Sequence, residues 1–128
     1  MGLARVGVIA ALLGALLGVG EAQEPPRTRV ENPRPLLFAA IDSPAGEAHG
    51  VLAGRFAEAV TKYVHAGSPI FVDVTTERRY KQAGCSRLRV VLSWQGSVVL
   101  PGKTAPEKHE TQFGINYCRD GRPPQDLS

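Results

Sequence analysis

The sequence predicts an α+β fold, with one long helix packed on a small, mostly antiparallel sheet of four to five strands and one disulfide. Three observations carry this expectation. Residues 45–66 place Leu52, Phe56, Ala59, Val60 and Tyr63 at helical spacings, with Arg55, Glu58 and Lys62 elsewhere. Residues 86–94 alternate instead: Leu88, Val90, Leu92 and Trp94 fall on one face, Arg87, Arg89, Val91 and Ser93 on the other. Finally, Cys85 and Cys118 are the two cysteines of a chain that opens with an export signal.

The elements follow in order. Arg5 and the α-amino group precede an uncharged run from Val6 to Val19, and Gly20-Glu21-Ala22 sets small residues where signal peptidase requires them. Residues 1–22 therefore read as a signal peptide cleaved near Ala22, which addresses the chain to the periplasm or the medium. As a helix the apolar run would reach roughly 21 Å, short of the ~30 Å hydrocarbon core. Residues 23–35, rich in proline and arginine, read as an extended arm.

Residues 36–118 are expected to form one α+β domain. The run from Pro35 to Ile41 reads as a first strand, and Asp42-Ser43-Pro44 as its end. Ser43 then serves as N-cap and Pro44 as first residue of the long helix, with Glu47 near the positive end of its dipole. Gly46, Gly50 and Gly54 recur every fourth residue as a smooth strip on that helix, against the domain's own sheet or a second copy. Gly67, before Pro69, reads as its terminator.

Strands follow at 70–75 and 86–94, with Gln95-Gly96 as a tight turn and Ser97–Leu100 as a short return strand. Thr111, Phe113, Ile115 and Tyr117 alternate in a last strand, 111–118. Residues 119–128, with Pro123-Pro124, read as a flexible tail.

The cysteines constrain the topology. Bridgeable residues need Cα atoms within about 7 Å, and Cys85 opens one strand while Cys118 closes another. The two strands should therefore run antiparallel, with 101–110 crossing back along the sheet. Closing a loop of about 34 residues is worth roughly 3.5–4 kcal/mol by the chain-entropy relation. That is a large share for so small a domain.

The residues offer little to a catalyst. His49, His65 and His109 lack metal-ligand spacing, and neither a Cys-x-x-Cys pair, a nucleophile elbow nor a phosphate-binding loop is present. No catalytic residue, metal or cofactor is expected. Asp73 interrupts the apolar run Ile70-Phe71-Val72 and reads as the partner of an arginine at the sheet edge.

The overall charge of +3 identifies no partner, but its distribution is uneven. Arg78, Arg79, Tyr80, Lys81, Arg87 and Arg89 fall within twelve residues that contain no acid. Arginine's planar fork suits carboxylates and phosphates, so the stretch reads as a docking surface for an acidic protein surface or envelope component. The competing reading is a solvated edge guarding the sheet against aggregation. Export and a single nearby aromatic argue against nucleic acid, and membrane contact would be peripheral at most.

Three stretches resemble a known group. They are Phe38-Ala-Ala-Ile-Asp-Ser-Pro-Ala-Gly-Glu-Ala-His-Gly50, Asp73-Val-Thr-Thr-Glu-Arg-Arg-Tyr-Lys-Gln-Ala-Gly-Cys85 and Phe113-Gly-Ile-Asn-Tyr-Cys-Arg-Asp-Gly-Arg-Pro-Pro124. They resemble small exported proteins encoded among bacterial conjugation (type IV secretion) genes and labelled conjugal transfer proteins. The resemblance implies a bacterial periplasm and an accessory role at a transfer apparatus, and brings no catalytic residues with it. The expected function is thus a non-enzymatic periplasmic interaction protein. Its rivals are a small envelope enzyme or inhibitor gathering Asp73, a histidine and Tyr117, and a structural homodimer through the glycine strip.

Overall fold

Alternation along the chain builds most of the sheet. The structure, a computed structural model, describes residues 26–128, and the predicted signal segment, 1–22, lies outside them. Seven elements follow one another: β1 (Thr28–Val30), α1 (Arg34–Asp42), β2 (Glu47–Leu52), α2 (Gly54–Val64), β3 (Phe71–Arg79), β4 (Cys85–Gln95) and β5 (Lys108–Cys118). They form an α+β fold around one five-stranded sheet, in the order β1-β2-β3-β4-β5. The sheet is mixed: β1 runs parallel to β2, and the other neighbours are antiparallel.

Both helices pack on the same face. Leu36, Leu37, Ala40 and Ile41 of α1 are buried against Ala48, Val72, Val74, Leu88, Val90 and Tyr117. Ala57, Val60 and Val64 of α2 pack more loosely on the same cluster. The opposite face of the sheet carries no helix among the described residues. Burying one sheet face and leaving the other to solvent is the usual solution for antiparallel strands.

The first expected strand is a helix. In Pro35–Ile41 the buried residues are Leu36, Leu37, Ala40 and Ile41, whereas Ala39 is exposed. That spacing is one face of a 3.6-residue turn, not a period of two. The N–H of Arg34 donates to Asn32 Oδ1 at 3.0 Å, which sets the entry to the helix. Ser43 stands at the other end from the one expected: its N–H donates to Ala39 O at 2.9 Å as the C-cap of α1. Pro44 excludes helical backbone at Ser43, which sits at φ −73°, ψ 133°.

The long helix expected over 45–66 is two elements. Gly46 (φ +71°) lies in the turn that enters β2, and Gly54 (φ +75°) opens α2. These left-handed conformations, which suit glycine, interrupt any continuous helix. Between them Ala48, Gly50 and Leu52 are buried in strict alternation with Glu47, His49 and Val51. Gly50 marks the close approach of three elements: a Cβ there would lie 2.6 Å from Leu36 Cδ1 and 2.9 Å from Thr28 O. The glycine strip is therefore not a helix face, and the homodimer surface built on it does not exist. The left-handed residue that ends α2 is His65 (φ 54°), not Gly67.

Ser97–Leu100 is not a strand. Residues 96–107 form an open connection, so β4 and β5 are a plain hairpin and nothing crosses back along the sheet. The antiparallel pairing deduced from the cysteines holds, and the register sets Cys85 directly opposite Cys118. The disulfide joins them with Cα atoms 4.0 Å apart.

Both ends of the described chain take part in the fold. Val30 of β1 is buried. At the other end Gln125 N–H and Asp126 N–H both donate to Gln82 Oε1, at 2.8 and 3.2 Å, and Lys81 N–H donates to Ser128 O at 2.9 Å. Residues 119–128, expected as a free tail, thus lie along the turn between β3 and β4.

Candidate functional site on the uncovered sheet face

Parity decides which side chains reach the uncovered face. On β4 the even positions Leu88 and Val90 enter the core, so Arg87 and Arg89 point the other way. A register shift between Thr76 and Arg78 sets Arg78 opposite Arg87. Cross-strand partners share a face, so Arg78, Arg87 and Asn116 form one row there, and Thr75, Arg89 and Gly114 the next.

Neutral groups hold these arginines in place. Arg87 Nη1 donates to Asn116 Oδ1 at 3.3 Å, and Tyr80 OH donates to the same oxygen at 2.7 Å. The guanidinium of Arg87 lies against Gly114, where a Cβ would collide with it. Arg89 Nη2 donates to Gln112 Oε1. Arg78 lies over the Tyr80 ring, 5.4 Å from its centroid. Among the described residues none of the three has a carboxylate within salt-bridge distance. The result is a strip of fixed, uncompensated guanidinium groups on an open surface.

The remaining members of the predicted stretch are placed differently. Arg79 pairs with buried Ser86 and points to the helical side. There its Nη1 and Nη2 donate to Ile41 O at 3.3 Å and Ser43 O at 2.9 Å. A cation at the negative end of α1 is a structural cap. Lys81 is exposed in the turn after β3. Sequence proximity grouped these residues, and the pleat of β3 separates them.

A second polar cluster lies on the same open face. Asp73 accepts from Arg27 Nη1 at 3.0 Å and Nη2 at 3.3 Å, the pairing with an arginine expected from its place in an apolar run. Arg27 Nη1 also donates to Gly50 O at 3.0 Å, and the guanidinium lies 4.5 Å from the Phe71 ring centroid. His49, the register partner of Asp73, brings Nδ1 to 2.6 Å from Asp73 Oδ1, and its Nε2 stands 3.4 Å from Glu47 Oε2. The helix expected over 45–66 conceals that contact in the sequence, and the alternation Ala48-Gly50-Leu52 is its signal.

A histidine oriented by a carboxylate is half of a general-base arrangement. Here Nε2 faces another carboxylate, and no hydroxyl bonds to it among the described residues. The adjoining cavity, bounded by Arg27, Phe71, Asp73, Ser93 and Lys108, measures about 190 Å³. Ordinary small-molecule sites span roughly 300–1,000 Å³. Tyr117 stands on the opposite face, its OH accepting from Arg34 Nε at 3.0 Å, so the pocket that the rival enzyme reading requires of Asp73, a histidine and Tyr117 does not assemble among the described residues. The cluster ties Arg27, the residue before β1, to β2 and β3.

Asp126 has its carboxyl held below the usual carboxylate range by hydrogen bonds from the Ser128 hydroxyl and N–H. Among the described residues no three His, Cys, Asp or Glu side chains gather as metal ligands, and no helix is long and apolar enough to cross a membrane. No protein-family model matches the chain, and no characterised protein or solved structure matches it either.

Proposed function

We infer that this is an exported, non-enzymatic interaction protein that docks onto an acidic partner through Arg78, Arg87 and Arg89 on the open sheet face. The carrying observation is the absence of a carboxylate partner for all three arginines among the described residues, while neutral groups hold each one in position. A guanidinium that merely solubilises a surface gains nothing from being fixed. One that must meet a carboxylate loses less freedom on binding if it is fixed beforehand.

The export signal read from residues 1–22 and the Cys85–Cys118 bridge support a periplasmic setting. The resemblance to conjugal transfer proteins supports reading the partner as a component of a type IV secretion apparatus. The testing experiment is recovery of envelope partners by the tagged protein and by Arg78→Glu/Arg87→Glu/Arg89→Glu. Recovery falls to background for the triple variant; unchanged recovery would sink the assignment.

A further inference from the structure

The disulfide register shows which backbone groups of β5 are free. Cys85 O accepts from Tyr80 N–H at 3.0 Å and Cys85 N–H donates to Gln82 O at 3.2 Å, while Cys118 N–H donates to Arg122 O at 3.0 Å. The pair Cys85↔Cys118 is therefore a non-hydrogen-bonded position of the β4–β5 ladder, consistent with its short Cα separation. Bonded and non-bonded pairs alternate in an antiparallel ladder. The odd residues of β5 thus bond to β4, and the N–H and C=O of Lys108, Glu110, Gln112, Gly114 and Asn116 point away from the sheet. β5 is the last strand of the sheet, eleven residues long and without proline. An edge of this kind is a template for another strand.

Three features select the strand that fits. Arg87 and Arg89 originate on β4 but reach outward, the first across Gly114 and the second to the Gln112 amide, so both charges lie over the edge strand itself. A strand paired with Gln112–Asn116 would carry alternate side chains on this face, beside the two guanidiniums. Its intervening side chains would fall on the helical face beside Phe113, which is 49% exposed. A second copy of this chain is disfavoured, because pairing β5 with β5 around Gln112–Gly114 would bring two sets of arginines together.

We propose that β5 accepts an extended segment of the partner by strand addition, the segment carrying acidic side chains at alternate positions and apolar ones between. This rests on docking through the same arginines and adds its geometry: main-chain bonds along the edge supply affinity, and the alternating pockets supply specificity.

The probe is a fluorescent peptide of alternating glutamate and valine, about eight residues long to match the free stretch of β5. It is titrated into the oxidised full chain, with a lysine–valine peptide as counterpart. The acidic peptide binds and the basic one does not; failure of the acidic peptide to bind overturns the proposal. Gln112→Pro removes an outward N–H without touching the β4 ladder. It weakens binding by about tenfold or more beyond Gln112→Ala, which loses only the amide that holds Arg89 and so serves as the side-chain control.

An acidic peptide N-methylated on the residues facing β5 makes the same test on the unaltered protein and binds as poorly. Binding that survives both blocks, yet is lost in Arg87→Glu/Arg89→Glu, refutes strand addition and leaves the docking reading standing. Binding indifferent to that arginine pair refutes both. Concentration-dependent dimerisation that Gln112→Pro abolishes would identify a second copy as the occupant and overturn the proposal.

Discussion

Arg87 lies flat against Gly114, the residue on the neighbouring strand whose missing side chain makes room for it. The collision at Gly114→Ala involves only the far end of a flexible side chain, so the fold yields cheaply. Stability should change by less than about 0.5 kcal/mol, as for most surface substitutions. Binding of the acidic partner should nevertheless fall several-fold, because Arg87 is displaced. Chemical denaturation and a binding titration on the same preparation separate the two effects.

Arg78 and Arg79 are adjacent in sequence and opposite in role. Arg79→Ala removes the cation that donates to Ile41 O and Ser43 O at the end of α1, and should cost about 1 kcal/mol. Arg78→Ala removes only a guanidinium stacked on Tyr80 and should leave the unfolding midpoint nearly unchanged. Binding should show the reverse order. Urea midpoints for the two variants make the comparison directly.

Gly50→Ala meets packed atoms on two sides, the Leu36 side chain and the Thr28 carbonyl. Overpacking of this kind costs roughly 1–3 kcal/mol. The loss should appear as a lowered denaturation midpoint together with faster amide exchange at Ala53, whose N–H donates to Val30 O at 2.8 Å.

Much of this fold was legible in the sequence where a period ran uninterrupted. Alternation from Leu88 to Trp94 gave β4, and the two cysteines gave the antiparallel relation of β4 to β5. The failures share a cause, which is competition between local patterns of similar strength. Leu36-Leu37-Phe38 satisfies both a strand and a helix, and only its packing under β2–β5 decides. Gly46, Gly50 and Gly54 fit a four-residue repeat by coincidence, the outer two taking left-handed backbone and Gly50 a close approach of packed atoms. The site was legible as composition but not as geometry, since facing in β3 depends on the register shift after Thr76, which no residue type announces.

The bridge between Cys85 and Cys118 crosses paired strands but closes a segment of 33 residues' separation. Cys85→Ser/Cys118→Ser should lose about 3–4 kcal/mol, chiefly through the freedom returned to the unfolded chain. The measurement is urea denaturation of the oxidised protein beside the variant. Reducing agent should destabilise the former and leave the latter unmoved.

The central claim is that the uncovered sheet face, and not the helical side, meets the partner. Site-specific photocrosslinking in the cells that produce the protein tests it most directly. One crosslinking side chain is placed at Gln112, beside Arg87 and Arg89, and another at Glu58 on the exposed side of α2. A discrete partner adduct is expected from position 112 and none from position 58. Adducts from position 58 with none from position 112 would contradict it.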